Sequence, residues 1–255
     1  MDRFCSIEPG GQIASGGYFK FHIRSHCGND LHLVRGFVDA LALRLMAGYE
    51  GQPYDQPLEI DPSFLNVPNR TKSHYWRLFD NDGKPTADFV TVASETVGLW
   101  IEESLEKVLY AHAGEPHNSD PVYDVLSIFD DGDEHRLRVV QVKATKDNFA
   151  GNCNTALQKF ESLEAGLYDA ELSNRLNLIV QLRRVPAGIS VEDLKLNRRY
   201  RVVLVHGDPL GRTGLMTTFD QKVPGDAIRR SAVFAQVDWP KLWEVLADAV
   251  YARLA

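Results

Sequence analysis

Four side chains in this 255-residue sequence have the types and spacing to hydrolyse a phosphodiester: Glu102, Asp124, Gln141 and Lys143. That reaction needs negative charge neutralised on the phosphate, a hydroxide-like nucleophile and a stabilised leaving oxygen. Magnesium or manganese held by carboxylates supplies all three. In such a site Asp124 would be the principal ligand. Glu102 would be a second ligand or the holder of a metal-bound water, and the side-chain carbonyl of Gln141 a neutral ligand. Lys143 would lower the cost of forming hydroxide and offset the charge that develops on the phosphate.

Three elements must bring these groups together. Residues 97–110 read as a helix. At 100° per residue, Val97, Ile101, Leu105, Val108 and His112 share one face, with Leu109 at its edge. Glu102 falls on the border of that face, where a carboxylate leaves the core and points into a cleft or stays a solvated charge. Glu106 lies further round and Glu103 towards solvent, both read as solvated charges. Residues 122–129 and 137–142 read as strands joined by the acidic turn 130–134, an antiparallel hairpin. This pairing carries Asp124 towards the end that holds Gln141 and Lys143. Alternation along a strand points Gln141 and Lys143 to one side and Val140 and Val142 to the other.

The remaining pattern supplies a scaffold. Residues up to 17 read as an extended lead-in, 18–24 as a strand and 31–49 as an amphipathic helix. Residues 52–84 are Pro-rich and irregular, with one short strand at 75–79 and a plain turn at 80–83. Past Lys143 come a helix at 155–168 that buries Ala156, Leu157, Phe160, Leu163 and Leu167, a strand at 176–182, a short helix at 191–196 and a strand at 201–206. A loop-rich stretch follows at 207–225, then a strand at 232–237 and a terminal helix with Asp238 as N-cap and Pro240 in its first turn. The order predicts an α/β fold with a mixed central sheet flanked by helices: residues 1–92 as an N-terminal α+β elaboration and 93–255 as the core.

Composition bounds the function. Hydrophobic residues make up 44% and charged residues 25%, the balance of a folded globular chain and not of a disordered one. Cys5, Cys27 and Cys153 are far apart and in no metal-binding spacing, so they read as reduced thiols of a cytoplasmic protein. The N-terminus has no signal-peptide pattern, and no apolar stretch is long enough for a membrane span. The net charge of −7 excludes tight nucleic-acid binding through overall charge, so such contact needs a local basic surface, a metal ion or a partner. Arg183 and Arg184, Arg198 and Arg199 with Arg201, Arg229 and Arg230, and Lys143 with Lys146 either track phosphates along a groove or are solvated charges. Trp239, Trp243 and Tyr251 read as core, with a homo-oligomer contact as the alternative.

Asp124 followed by Gln141-Val142-Lys143 resembles the PD-(D/E)xK nuclease superfamily, in the Mrr-like branch where Gln replaces the acidic member of the motif. The stretch Ile101, Glu102, Leu105, Val108 and Leu109 is similar to that branch's helix motif. The resemblance implies a restriction-endonuclease-like core of helix, β-meander, second helix and further strand. It implies a Mg2+- or Mn2+-dependent endonuclease acting on DNA, with Glu102, Asp124, Gln141 and Lys143 as active-site residues and Val142 counted with the metal site. Gln158 would correspond to a glutamine of the second helix, and Lys146, Arg198 and Arg199 would contact nucleic acid. The N-terminal strand and helix are similar in order to those of nuclease subunits of antiphage defence systems such as Hachiman, which implies work beside a helicase or sensor subunit. The sequence departs from the pattern in two places: Tyr123 and not Pro precedes Asp124, and Gln141 is neutral. A catalytically silent nuclease-fold subunit for sensing or protein interaction is therefore the alternative. An unrelated α/β enzyme using His112, His135 or His206 is a third reading, weakened because no Ser-centred elbow, phosphate-binding Gly loop or HExxH motif is present.

Overall fold

Apolar residues alternating with polar ones, then running unbroken where both faces are covered, give this chain one large sheet. A computed structural model describes residues 5–13, 16–23, 39, 41, 42, 45, 76–113, 123–132, 134–144, 149–181, 185–206, 214–236 and 241–254. In chain order the elements are β1 (Cys5–Ile13), β2 (Gly16–Ile23), α1 (Ala87–Leu105), β3 (Lys107–Ala113), β4 (Val125–Asp130), β5 (His135–Ala144) and α2 (Phe149–Glu164). Then follow α3 (Asp169–Gln181), α4 (Val191–Leu196), β6 (Arg199–His206), α5 (Gly214–Lys222), β7 (Arg230–Gln236) and α6 (Lys241–Leu254).

The sheet has seven strands in the order β1-β2-β7-β6-β5-β4-β3. Its middle strands β2, β7, β6 and β5 run parallel, while β1 at one edge and β4 and β3 at the other pair antiparallel. Helices cover both faces, so the fold is α/β with a mixed central sheet. On one face, Val125, Val140, Val142, Val203, Val205 and Val233 pack with α1, α6 and the helical residues Leu41, Ala42 and Leu45. On the other, Leu126, Ile128, Val139, Val202 and Leu204 pack under α2, α3, α4 and α5. Among the described residues no helix is long and apolar enough to cross a membrane.

Helix α1 is the central helix of its layer. It packs against the sheet and α6, and it buries Phe89, Val92, Val97, Leu99, Trp100 and Ile101. Asp88 in its first turn complements the helix dipole. Gly98 sets how closely it approaches β5: a Cβ there would lie 2.4 Å from Cγ2 of Val142. Val is stiff at χ1, so the contact cannot be relieved by rotation.

Several sequence expectations are corrected. The helix expected through residue 110 ends at Leu105, because Glu106 turns extended (φ −130°, ψ 155°) and the residues after it pair with β4 as β3. The strand expected at 176–182 is the end of α3. Its apolar residues Leu172, Leu176 and Ile179 follow a helical period, and Leu178 between them is exposed. The loop-rich stretch 207–225 contains α5, whose Leu215 and Phe219 are buried. Residues 76–78 form a helical end and turn rather than a strand, with only a bridge from Phe79 to Pro85. Leu167 lies past the end of α2 and is 71% exposed. The expected lead-in contains β1, and β2 joins the main sheet beside β7. The division at residue 92 falls inside α1.

Other expectations agree with the structure. The 130–134 turn closes the β4–β5 hairpin, with Gly132 at φ 93° accepting the left-handed conformation the turn requires. Ser190 caps α4 by accepting from the Asp193 N–H at 3.3 Å. Trp243 is buried as expected, whereas Tyr251, expected in the core, is 37% exposed and packs edge-on against Trp76 and Phe79 at the surface. Most of the helix expected at 31–49, residues 52–75, and Asp238, Trp239 and Pro240 lie outside the described residues.

Gly98→Ala is expected to destabilise the protein by about 1–3 kcal/mol through overpacking, although alanine is the better helix former. Val142→Ala removes the opposing methyl, so the double variant should lose clearly less than the sum of the two single losses. Urea unfolding of the four proteins measures this, and strict additivity would show that the two residues do not meet.

Candidate functional site

Asp124 stands at the residue where β4 begins to pair. Its N–H donates to the Val140 carbonyl at 3.0 Å and extends the ladder by one bond. Its side chain then takes the place of the next backbone acceptor: Oδ2 accepts from the Val142 N–H at 2.7 Å and from Lys143 Nζ at 3.2 Å. Lys159 Nζ, from α2, lies 4.0 Å from Oδ1. The carboxylate is therefore gripped by its own hairpin partner and faced by two ammonium groups. In an extended strand the N–H and C=O of one residue point to the same side, so the Val142 carbonyl is also directed towards Asp124.

The helix carboxylate at this site is Glu95. It is half-buried on α1, one turn before the close Gly98–Val142 contact. Burial pushes its carboxyl up to about 8; the negative charge of Asp124 adds to the effect, and Lys143 and Lys159 offset only part of it. Glu95, Asp124, Lys143 and Lys159 thus form one electrostatic unit contributed by α1, the β4–β5 hairpin and α2.

Glu102, expected in this role, is elsewhere. It is fully buried over the middle of the sheet, where Oε1 accepts from Arg201 Nη1 at 2.5 Å and Oε2 from Ser127 Oγ at 3.0 Å. Arg138 Nη1 is 3.5 Å from Oε2. Glu106 joins the same network through Arg138 and through Arg201 Nη2 at 2.9 Å. Burial opposes the charge of Glu106, but the two guanidinium groups outweigh it and hold the carboxyl below its usual range. Glu95 and Glu102 are seven residues apart, two turns and about 10 Å along the helix, and nearly in phase. Helical phase picks out the face they share but not the turn. The sequence pattern places the start of this helix near Val97, whereas α1 begins at Ala87 and so includes Glu95.

The other expected residues divide similarly. Gln141 is fully buried on β5 between Val140 and Val142, which pack on the α1 side. Gln158 is exposed on α2 beside Lys159. Lys146 lies outside the described residues. Arg198 and Arg199 do not reach the site. Arg199 pairs in register with Arg138, five residues and about 16 Å along β5 from Lys143. Both are held internally: Arg199 by Asp131 at 2.5 Å, and Arg198 by Glu164, Asp169 and the Leu163 carbonyl. Tyr200 donates to the same Glu164 at 2.5 Å, and Arg229 pairs with it at 2.8 Å.

Comparison with protein-family models and with curated proteins finds no match. Function must therefore be argued from the site. Among the described residues no group of three His, Cys, Asp or Glu is placed to hold a metal ion, so the site offers two carboxylates, Glu95 and Asp124, with the Val142 backbone carbonyl on the Asp124 side of β5. All are hard oxygen donors of the kind magnesium and manganese take. The upward displacement of Glu95 by its own burial and by Asp124 marks a place where added positive charge is favourable. The residues present fit a divalent cation.

Glu95 and Glu102 should behave oppositely. Glu95 ionises near 4.5 in the unfolded chain and near 8 in the metal-free fold, so the fold binds the extra proton between those values. Its contribution is complete below pH 4.5 and is lost as pH rises through 8. With a chelator present, wild-type stability should fall across that window by roughly 2 kcal/mol more than that of Glu95→Gln, after discounting for solvent exposure. Glu102→Ala leaves Arg201 and Arg138 short of a partner and should cost about 3–5 kcal/mol at any pH in that range. Denaturant titrations at pH 5 and pH 8 distinguish the two carboxylates, and equal behaviour would contradict the assignment.

Proposed function

We propose that this protein is a metal-dependent nuclease that hydrolyses phosphodiester bonds of DNA, in restriction or antiphage defence, with a restriction-endonuclease-like core. The observation that carries this reading is the hydrogen bond of Lys143, at a strand end, to Asp124, at a strand start, with the charges of both acting on the Glu95 carboxyl of α1. The element order supports it: α1, the meander β3-β4-β5, α2 and, after the additional helices α3 and α4, β6 parallel to β5 contain the sequence of elements that the resemblance implies.

Asp124, Glu95, the Gln141 amide and the Val142 carbonyl are the groups that would hold magnesium or manganese. The chemistry such an ion supplies when bound is neutralisation of phosphate charge and acidification of water. Lys143, fixed at 3.2 Å from Asp124, is placed to balance charge on the phosphate as it grows. Glu95 faces the same point from α1, where a carboxylate can orient the attacking water or take its proton. The distribution of arginine supports a delegated substrate search: Arg138, Arg198, Arg199, Arg201 and Arg230 are held by internal carboxylates or carbonyls, and the chain is acidic overall. A helicase or sensor subunit in the cytoplasm would present the DNA.

Purified protein with magnesium or manganese is expected to cleave plasmid or linear DNA. Asp124→Ala and Lys143→Ala should each lower the rate by about 10²- to 10³-fold while circular dichroism stays native. A parallel RNA substrate tests the preference for DNA. Cleavage that persists in both variants would sink the site assignment, and absence of cleavage with either metal, alone or with a partner subunit, would support the silent-subunit reading.

A further inference from the structure

Two lysines face Asp124, and they are not equivalent. Lys143 Nζ hydrogen-bonds Oδ2, the oxygen also fixed by the Val142 N–H, and belongs to the same hairpin as the carboxylate. Lys159 comes from α2, a different element, and lies opposite Oδ1 at 4.0 Å, an ion pair without a hydrogen bond; its side chain is 28% exposed. It is no ordinary surface pair, because its ammonium also acts on the half-buried Glu95 carboxyl that reaches the site from α1. Lys159 is thus coupled to both carboxylates of the site and is itself partly exposed to solvent.

We propose that Lys159 is a built-in counter-cation of the metal-free site, which gives up Asp124 when a divalent ion binds and then holds a phosphate oxygen of the substrate. The proposal rests on the metal-nuclease reading. A divalent ion on Asp124 puts like charge against both lysines. Lys143 is held to Oδ2 by a hydrogen bond within its own hairpin, whereas Lys159 reaches Oδ1 from a separate helix over the longer distance of 4.0 Å. Repulsion moves the ammonium outward along the solvent side of Asp124, the side from which a polyanion must enter. The same lysine thus opposes metal binding before substrate arrives and favours substrate afterwards, so that an empty, acid-lined site is not formed in either state.

Metal affinity separates this from a purely structural role. Mn2+ binding to the whole protein without DNA, followed by titration calorimetry or by the loss of the free Mn2+ resonance, is expected to be roughly three- to tenfold tighter in Lys159→Gln, the effect of removing one partly screened charge from beside a doubly charged ion. Binding of a short DNA duplex in Ca2+, read by fluorescence anisotropy, should weaken several-fold in the same variant. Lys159→Arg should keep both properties near wild type. Lys107→Gln, which removes the same charge from the Asp130 pair at the other end of β4, should change neither. Unchanged or weaker Mn2+ binding in Lys159→Gln, or undiminished DNA binding, overturns the proposal. A wild-type protein that binds no Mn2+ overturns the metal-nuclease reading and the proposal with it.

Discussion

The approach of α1 to β5 at Gly98 and Val142 is the constraint on which the rest depends. A helix normally stands off a sheet by the thickness of two side chains; here one of them is missing. The helix sinks towards the strand at the residue whose N–H holds Asp124, one turn from Glu95. Two and three turns beyond Glu95, Glu102 and Glu106 grip Arg201 and Arg138. The first contact sets the depth of α1 and the second its axial position. Burying two carboxylates and two guanidinium groups is costly by itself, and paired burial of this kind gives little net stability compared with apolar packing. What it does give is directionality: sliding α1 by one turn would leave at least two buried charges unmatched.

Charge is sorted along the sheet. Towards the start of β6, Arg199 pairs with Asp131 and packs over Phe129, while Arg198, Arg229, Tyr200 and Glu164 form a second closed network on the opposite face. These arginines complete the fold and present little free cationic surface. Towards the end of β5, Lys143 and Lys159 stand beside a carboxylate at the boundary with solvent. Arginine, planar and weakly hydrated, suits the closed networks; lysine, a compact and strongly hydrated charge on a flexible stem, suits a site whose charge must be rearranged. On the nuclease reading, in a chain with net charge −7 the place for a polyanion would be set by this local sorting and not by the total.

The parts of this structure that were legible in sequence are those in which period and local chemistry agree. The β4–β5 hairpin announces itself by β-branched residues around an acidic glycine turn, and the pairing of Asp124 with the Val142 and Lys143 end follows from counting across that turn. Glu95 was hidden because a seven-residue shift on a helix changes the turn without changing the face, and only the start of α1, ten residues before Val97, would have brought it into view. The end of α3 reads as a strand because Leu176, Leu178, Ile179 and Val180 look like one when taken alone; Leu172 restores the helical period. Arg198 and Arg199 look like a phosphate track in sequence, since adjacent arginines carry no sign of the acids that neutralise them from residues 131, 164 and 169.

The neutral Gln141, an apparent weakness in the motif, follows from burial. Its side chain is fully enclosed, and the site already holds two carboxylates whose mutual repulsion and desolvation raise one of them to about 8. A third carboxylate at 141 would have to be buried as well, at a cost of several kcal/mol unless neutralised. Lys143 and Lys159 already face Asp124, and the nearby arginines belong to Glu102 and Glu106. An amide keeps an oxygen donor at that position without the charge. The site is thereby held close to electrical balance by its own side chains, with Glu95 protonated at neutral pH and Lys159 opposite Asp124, and each must be rearranged before a cation can settle. On the metal-nuclease reading, a low affinity for metal before substrate arrives follows from this balance among the site's own charges.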